Sequence, residues 1–448
     1  MRNVLLLLIV SAVVLTNCST DSGTADNDTL VAFADSLFQR DVDSGYIAGA
    51  SVLVFQNGQR LIDQSYGYAS LELSVPMPEE GVFEIGSVTK QFTAAAILRL
   101  VEEGKLSLED DFTNYLDFDT GGRTITVGQL LNHTSGIPGY TEIPAFWELS
   151  LHRYQRDSLV RFVEEYDFLF EPGEAMIYNN SGYYFLGLII EEVTDTSYAD
   201  FLAASFFEPL GMEHTGYCSN TEVLSNKVYG YNYSPEGLQQ KPYLDHTWPY
   251  AAGSLCSTAE DLLTWLRALH GGEVLTDVSY QQMISPETLN DGLPIRYAMG
   301  LINYDHYGHQ YIGHGGGIHG FLSETRYFPE EDLYVICLLN TAGPKGPSYF
   351  ADQLTWRILN KQGPAGQPLD RDATAFAGTY SGPVRGRMLS VDVTMVDEQM
   401  VFSYENQSDT LSTYLGDRTW ADGNDRLIFK DDELRIDQLT GYYRLKKE

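Results

Sequence analysis

The spacing of apolar and polar residues places strand patterns at both ends of one large segment, with helix and loop patterns between them. A helical period over residues 30–45 precedes two alternating runs on either side of Asn57-Gly58, a dipeptide that favours the tight turn of a β-hairpin. From about Ser87 to Leu266 the pattern is mainly helix and loop. Strand patterns then return in four runs, "MGLINYD", "HQYIGHGGG", "GFLSETRYF" and "DLYVICLLN", and a helical period over residues 348–360 follows them.

This order of elements predicts an α/β (α+β) fold. Strands from the first and last segments of a domain, with helices between them, predict one antiparallel sheet that is flanked by helices and carries an inserted helical lobe. We assign this domain to residues 29–360. Residues 361–373, which contain several Gly and Pro residues, are predicted to be a linker.

The last part of the chain, residues 374–448, is predicted to be a small, separate β-rich domain. Its strand patterns are "MLSVDVTMV", "MVFSYEN", "RLIFK", "ELRIDQ" and "GYYRLKK". Three roles are open for this domain: it covers a cleft, binds a partner or supports the fold. The sequence does not separate them.

The N-terminus has the pattern of an export signal. Arg2 precedes an apolar run from Val4 to Leu15, which is too short to span a bilayer and has the length of a signal-peptide core. Cys18 closes this segment and resembles a bacterial lipoprotein site. We therefore predict a lipoprotein-type signal peptide over residues 1–18, with lipidation at Cys18, and a polar tether over residues 19–28. Plain secretion is the next interpretation, and a membrane-spanning anchor is the least favoured.

Composition and charge narrow the partners of this 448-residue chain. Apolar residues make up 43% of it and charged residues 20%, as in a globular protein. The net charge of −34 argues against a nucleic acid as partner. We predict a small-molecule or peptide substrate, contact with a membrane only through an N-terminal lipid, and a location in the periplasm or on the outer surface of a bacterial cell.

The remaining cysteines give no sign of a metal or redox site, because none has the CxxC spacing. Cys337 lies in an apolar strand pattern and is predicted to be a core residue. In an exported protein Cys218 and Cys256 form the one pair worth considering as a disulfide, and two free thiols are the alternative.

The stretch "FEIGSVTKQFTAAAILRL", residues 83–100, suggests a nucleophile. Lys90 follows Ser87 by three positions, and residues three apart share one face of a helix. A serine hydroxyl becomes a nucleophile when a base accepts its proton, and a lysine is such a base when burial lowers its pKa. The simpler interpretation, which this motif alone does not exclude, is that Ser87 caps a helix and Lys90 is solvated.

A second stretch, "FEPGEAMIYNNSGYYFLGLIIEEV", spans residues 170–193 and places Tyr178 and Asn180 before an apolar helix. A phenol can transfer protons, and an amide can hold a substrate carbonyl. The simpler interpretation is an aromatic core residue and a helix cap.

A third stretch, "YIGHGGGIHGFLSETRYF", spans residues 311–328 and places His314 before three glycines on a predicted edge strand. Glycines there let a substrate backbone approach the strand closely, and a backbone N–H beyond His314 can complete an oxyanion hole. A bulge or a tight turn is the simpler explanation for the glycines, and an ordinary polar contact is the preferred one for His319.

The three motifs in this order, Ser-x-x-Lys, Tyr-x-Asn and a basic residue with glycines, resemble those of the penicillin-recognising serine hydrolases. The resemblance is to the branch of class C β-lactamases, D-Ala-D-Ala carboxypeptidases and related esterases. It covers roughly residues 29–360. Three further stretches are similar to that family: "ITVGQLLNHTSGIPGY", "PLGMEHTGY" and "AAGSLCSTAEDLLTWLRAL".

The resemblance implies a role for each matching residue. Ser87 is the acylated nucleophile, Lys90 is its proton partner, Tyr178 is the general base and acid, and Asn180 binds substrate. The backbone N–H groups of Ser87 and Gly317 form the oxyanion hole. No cofactor and no metal is implied.

One departure from the family pattern bears on the substrate. The third motif is usually Lys-Thr-Gly, and here it is His314-Gly315-Gly316, which we still assign to substrate binding. A histidine near its usual pKa of about 6.5 is mostly neutral at pH 7 and attracts a carboxylate weakly. The change makes a dedicated β-lactamase less favoured than a D-amino-acid peptidase or an esterase.

Two hypotheses of different classes follow from the sequence. The first is an exported serine hydrolase that cleaves an amide or ester, in a D-amino-acid peptide, a small ester or a β-lactam, through an acyl-Ser87 intermediate. The second is a catalytically silent protein that binds cell-wall peptides on the same scaffold. The first is favoured, because silent relatives usually lose the Ser, Lys or Tyr that this chain retains.

Overall fold

The computed structural model describes residues 22–153, 155–361, 366–369, 372–396, 399–404 and 410–448. Its α-helices are α1 (Ser22–Asp43), α2 (Thr89–Glu102), α3 (Val127–Leu131), α4 (Phe146–Leu149), α5 (Arg156–Glu164), α6 (Asn180–Thr194), α7 (Tyr198–Leu202), α8 (Glu208–Leu210), α9 (Ala259–His270), α10 (Asp277–Ile284) and α11 (Pro347–Ile358). Short 3₁₀ turns occupy Gly86–Val88, Phe112–Asn114, Tyr140–Glu142, Tyr250–Ala252, Pro329–Glu331 and Ala373–Phe376, and a π-helical turn occupies Ala203–Phe207.

The strands fall into two groups along the chain. The first group is β1 (Gly49–Gln56), β2 (Gln59–Ser70), β3 (Val75–Pro76), β4 (Phe83–Glu84), β5 (Met176–Ile177), β6 (Gly216–Tyr217), β7 (Tyr231–Ser234), β8 (Gly237–Gln240), β9 (Leu255–Ser257), β10 (Ile302–His306), β11 (His309–Ile318), β12 (Phe321–Phe328), β13 (Leu333–Leu339) and β14 (Thr341–Ala342). The second group is β15 (Gly378–Val384), β16 (Arg387–Val396), β17 (Gln399–Tyr404), β18 (Thr410–Leu411), β19 (Thr413–Gly416), β20 (Thr419–Asp422), β21 (Asp425–Lys430), β22 (Glu433–Gln438) and β23 (Gly441–Lys447).

A seven-stranded antiparallel sheet forms the centre of the first domain, in the order β10-β11-β12-β13-β1-β2-β3. Strands from the beginning and the end of the domain therefore meet side by side at the β1–β13 pair. Asn57 and Gly58 form the turn between β1 and β2 with φ of 49° and 78°, the left-handed conformation that this tight turn requires. The predicted α/β (α+β) fold, with one sheet, flanking helices and a helical lobe, is confirmed.

The two central strands are buried on both faces. Successive residues of β1 point into two different hydrophobic cores, because side chains alternate across a strand. Leu53 packs in the core that contains α2 and α9, whereas Val52 and Val54 pack in the core that contains α1 and α11. Cys337 of β13 lies in this second core, as the sequence predicts.

The N-terminal helix begins earlier than the sequence predicts. Helix α1 begins at Ser22, inside the segment 19–28 that is predicted to be a tether, because the polar run continues directly into the helical period instead of ending before it. Cys218 and Cys256 form a disulfide.

The predicted signal peptide and Cys18 lie outside the described residues. Within the described parts of the chain, no helix is both long enough and apolar enough to cross a membrane.

The C-terminal strands form a second sheet in the order β18-β17-β16-β15-β23-β22-β21-β20-β19, around a core of its own. This sheet is not separate from the first domain, because β23 also pairs with β5 through Gly441–Ile177 and Tyr442–Met176. The sequence gives no sign of this link, since two residues are too few to show an alternating pattern. The predicted boundaries at residues 28, 360 and 373 stay predictions.

Candidate active site

Ser87 lies in the single 3₁₀ turn that leads into α2, and Lys90 lies in the first turn of that helix. The Lys90 Nζ atom is 3.2 Å from the Ser87 Oγ atom. Helix α2 is buried along almost its whole length, and the Lys90 side chain is therefore fully enclosed. The simpler interpretation of this motif, a solvated lysine, is wrong.

Lys90 has three hydrogen-bond acceptors around its amine. Besides Ser87, Nζ donates to Asn180 Oδ1 at 2.8 Å and to the carbonyl oxygen of Ala252 at 2.7 Å. Burial lowers the pKa of Lys90 well below its usual value, and the positive charge of Arg385 lowers it further. The lowered pKa favours the neutral form of the amine, which can accept a proton.

Tyr178 lies directly beside Lys90, with the Lys90 Nζ atom 4.8 Å from the centre of its ring. Burial raises the pKa of Tyr178, and the nearby Ser87 hydroxyl opposes that rise. Among the described residues the phenol has no well-formed hydrogen-bond partner. It is therefore a neutral O–H group that is buried next to the candidate nucleophile and free to bond an atom of the substrate.

The backbone around Tyr178 is held from two sides. Its N–H donates to the carbonyl of Thr440 at 3.2 Å, at the turn that leads into β23. The next residue, Asn179, donates its N–H to His133 Nδ1 at 3.2 Å, and the ring of His133 lies 4.4 Å from that of Tyr178. His133 therefore positions the Tyr-x-Asn segment.

Asn180 is the first residue of α6, and Asn179 caps that helix by accepting the N–H of Gly182 at 2.9 Å. Because Asn179 takes the capping role, the Asn180 side chain is directed to the site. It accepts from Lys90 through Oδ1, and its Nδ2 donates to Thr141 Oγ1 at 3.1 Å. The helix-cap interpretation therefore applies to Asn179 and not to Asn180.

The glycines of the third motif lie on β11 and allow it to approach Ser87. A Cβ atom on Gly316 would lie 2.1 Å from the carbonyl oxygen of Ile85, and one on Gly86 would lie 2.8 Å from the Gly317 nitrogen. Gly86 also has φ of 50°. Only glycine fits these positions, and their packing places the backbone of Gly317 against the turn that holds Ser87.

His314 is buried beneath this strand as a neutral side chain. Burial lowers its pKa to about 3, and the nearby Lys90 acts in the same direction. Its Nδ1–H donates to the Gly315 carbonyl, and its Nε2 accepts from the Tyr297 hydroxyl at 2.9 Å. Both ring nitrogens are thus occupied, and the imidazole has no positive charge to offer a substrate at neutral pH.

Two residues of the site are missed by sequence reasoning. Arg385 enters from the turn between β15 and β16, and its Nε donates to Glu142 Oε1 at 2.6 Å. The guanidinium carbon lies 5.0 Å from the centre of the Tyr178 ring. An arginine in a turn of the C-terminal domain carries no catalytic motif, so only the packing of the two sheets reveals it.

These groups line connected parts of one cleft. A cavity of about 330 Å³ is bounded by Ser87, Asn180 and Gly317 at its polar end. The rest of its lining is apolar at Tyr140, Phe146, Trp147, Leu244, Pro249 and Ile318 and polar at Thr141, Glu142, His319 and Arg385. A second cavity, of about 490 Å³, contains Ser87, Tyr178 and His314. Within the described residues no group of three or more His, Cys, Asp or Glu side chains is arranged to hold a metal ion.

The buried histidine predicts a specific pH dependence of stability. With a pKa of about 3 in the folded protein and 6.5 when unfolded, His314 binds its proton more readily in the unfolded chain. Its contribution to stability is therefore complete above pH 6.5 and is lost as the pH falls towards 3. We expect His314 to account for about 2 kcal/mol of the fall in unfolding free energy between pH 7 and pH 5.

Urea denaturation of the wild type and His314→Gln at both pH values measures this difference. Acidic side chains contribute equally to both proteins and cancel in the comparison. An identical loss of stability in the two proteins would contradict a buried neutral histidine.

Comparison with known proteins agrees with the fold. The model of the β-lactamase family matches residues 34–359. Protein flp of Staphylococcus aureus (strain MRSA252) is 28% identical over 337 residues, which cover 73% of this chain and 66% of that protein. Penicillin-binding protein 4* of Bacillus subtilis (strain 168) is 32% identical over 288 residues, 60% of this chain and 63% of that protein. The chain thus spans less than two thirds of these relatives.

Solved structures extend the similarity. The octameric penicillin-binding protein homologue from Pyrococcus abyssi has a TM-score of 0.66 at 25% identity, over 93% of this chain and 100% of that one. This match reaches beyond the residues of the family model. A D-stereospecific amidohydrolase from Streptomyces sp. has a TM-score of 0.62 at 26% identity, over 72% of this chain and 97% of that one.

The fold and the family match together place the chain in the superfamily that contains β-lactamases and penicillin-binding proteins. Within that superfamily, the chain belongs to the β-lactamase family.

Proposed function

We propose that the chain is an exported serine hydrolase that cleaves an amide or ester through an acyl-Ser87 intermediate. One observation supports this above all: Lys90, from the second helix of the chain, reaches both Ser87 and Asn180 inside a cleft that also holds Tyr178. If Ser87 were only a helix cap, there would be no need for a hydroxyl, a neutral amine and a buried phenol to lie together. The export part of the proposal rests on the N-terminal sequence alone.

The pKa directions suggest how the proton moves. Lys90, whose pKa is lowered, is the better acceptor for the Ser87 proton, whereas Tyr178, whose pKa is raised, is the better donor. Ser87 Oγ attacks the substrate carbonyl carbon as Lys90 takes its proton. Tyr178 then protonates the leaving nitrogen or oxygen as its bond to the acyl carbon breaks, and Lys90 returns the proton to Tyr178. Water releases the acyl group by the reverse order of proton transfers.

The negative charge that develops on the carbonyl oxygen requires fixed donors. The N–H groups of Ser87 and Gly317 are the candidates, because Gly86 packs directly on the Gly317 backbone. One such donor contributes about 2.7–4 kcal/mol to the transition state in measured cases. Asn180, which Lys90 and Thr141 hold in place, is suited to bind an amide of the substrate.

The substrate class that we favour is a D-amino-acid peptide or amide, or a small ester, before a β-lactam. Neutral His314 lacks the charge with which a lysine at this position would bind a β-lactam carboxylate. The apolar cavity beside Ser87 suits an apolar side chain or acyl group. The similarity to a D-stereospecific amidohydrolase supports the same choice.

A turnover panel tests this function. Purified protein is given nitrocefin, D-Ala peptides, D-amino-acid amides and p-nitrophenyl esters, with Ser87→Ala as the blank for each. We expect turnover of esters and of at least one D-amino-acid substrate to exceed turnover of nitrocefin. Preferred hydrolysis of nitrocefin would overturn the substrate class, and no Ser87-dependent turnover of any member would overturn the function.

A further inference from the structure

The hairpin of β15 and β16 inserts an arginine into the candidate active site from the other domain. Gly386 has φ of 70° in the turn, and a Cβ atom at this position would lie 3.1 Å from Glu142 Cγ. The turn is therefore pressed against the 3₁₀ turn Tyr140–Glu142 of the hydrolase domain. Arg385, one residue earlier, is held at the mouth of the cleft by this contact.

Arg385 is only partly engaged by the protein. Its Nε donates to Glu142, while neither Nη atom has a hydrogen-bond partner among the described residues. Its side chain is 37% exposed, and it lines both cavities that contain Ser87. A guanidinium binds a carboxylate best with two parallel N–H groups, and Glu142 uses only one of them. The Nη groups of the Arg385 guanidinium therefore remain available as hydrogen-bond donors that face the cleft.

The other basic side chains of the cleft are not available for an anion. Lys90 is fully buried with three acceptors, and burial lowers the pKa of His306, His314 and His319 below its usual value, so that these three side chains are neutral at pH 7. Arg326 pairs with both Glu324 and Asp352 and also donates to a backbone carbonyl. Of the described residues that line the two Ser87 cavities, Arg385 thus offers the positive charge that the third motif of this chain lacks.

We propose that Arg385 binds a carboxylate of the substrate, and that Glu142 occupies this position as an internal carboxylate until the substrate displaces it. This inference rests on the proposed function and names its substrate class: acyl compounds with a free carboxylate on the leaving side, such as a peptide with a C-terminal D-amino acid. The C-terminal sheet then supplies part of the specificity of the hydrolase domain.

The test compares an acyl-D-Ala-D-Ala peptide that has a free carboxylate with the same peptide as its C-terminal amide. The readout is the ratio of kcat/KM for acid over amide, so that general losses of activity cancel. Arg385→Gln should lower this ratio about tenfold or more, because a charge-assisted bond is lost. Glu142→Gln should raise it, because the internal competitor loses its charge. Arg387→Gln, an exposed arginine on the same hairpin, should leave it unchanged.

Opposite effects of the two variants separate this proposal from a simple tether. If the Arg385–Glu142 pair only joins the domains, both substitutions break the same link and move the ratio in the same direction or not at all, which would overturn the proposal. Arg385→Lys, which keeps the charge without the fork, provides an intermediate ratio if Arg385→Gln folds poorly.

A binding measurement keeps the two proposals distinct. The Kd of the acid and amide peptides is measured on Ser87→Ala protein, with and without Arg385→Gln and Glu142→Gln. The same opposite shifts in Kd, without turnover by the wild type, would support the Arg385 site and overturn the hydrolase. Turnover that depends on Ser87, with equal acid-to-amide ratios in all variants, would support the hydrolase and overturn the Arg385 site.

Discussion

Ser87→Ala is expected to lower kcat/KM by a factor on the order of 10⁴ or more for every substrate that the wild type hydrolyses. The alanine leaves the rest of the cleft in place but removes the hydroxyl oxygen that lies 3.2 Å from Lys90 Nζ. Loss of the nucleophile in another serine hydrolase costs about 10⁶ in kcat, which sets the scale. Labelling by a fluorescent fluorophosphonate or penicillin, followed on a gel, measures the covalent step directly.

Ser348→Ala is the matched control, because Ser348 lines the same 490 Å³ cavity as Ser87. It should be labelled like the wild type, whereas Ser87→Ala should not be labelled. Circular dichroism and the unfolding midpoint of both variants exclude loss of the fold as the cause. Equal labelling of the wild type and Ser87→Ala would remove Ser87 from the mechanism.

Tyr178→Phe is expected to separate amides from activated esters. The variant keeps the ring against His133 and loses only the hydroxyl. An amide leaves poorly without a proton, so its kcat should fall by about 10²–10⁴, the usual contribution of a general acid. A p-nitrophenyl ester has a leaving group that needs no proton and should lose much less.

Lys90→Met supplies the contrast. Methionine fills the enclosed space without an amine, so Ser87 loses its proton acceptor and both substrates should fall together. The measurement is kcat for an amide and a p-nitrophenyl ester of the same acyl group, in the wild type and both variants. An equal fall of both substrates in Tyr178→Phe would show that Tyr178 does not act as the leaving-group acid.

Most of the fold could be predicted from the sequence, because the patterns that indicate its strands and turns are local. Asn57-Gly58 marks a turn by its own conformational preference, and the apolar runs of β1 and β13 mark strands that are buried on both faces. The start of α1 at Ser22 is an exception. Its first turn is polar and looks like a tether, and helix formation there is not visible in the pattern of apolar residues.

The candidate site, like the fold, has a part that the sequence predicts and a part that it does not. The spacing of Ser87 and Lys90 places both on one helix face, and this proximity is present in the structure. The neutral state of His314 could be expected only in part, since the sequence suggests a pKa near 6.5 and burial lowers it to about 3. The part that Arg385 and Glu142 play in the site could not be predicted from the sequence, because their contact depends on how two sheets pack and not on any local motif.

The pairing of β23 with β5 determines when, during synthesis, the backbone around Tyr178 is held in place. The backbone of Tyr178 is fixed by the Thr440 carbonyl, and Met176–Ile177 are bonded to the strand that follows it. A ribosome makes those partners long after Tyr178 itself. The edge of β5, beside Tyr178, therefore stays unpaired in the nascent chain until β23 has been synthesised.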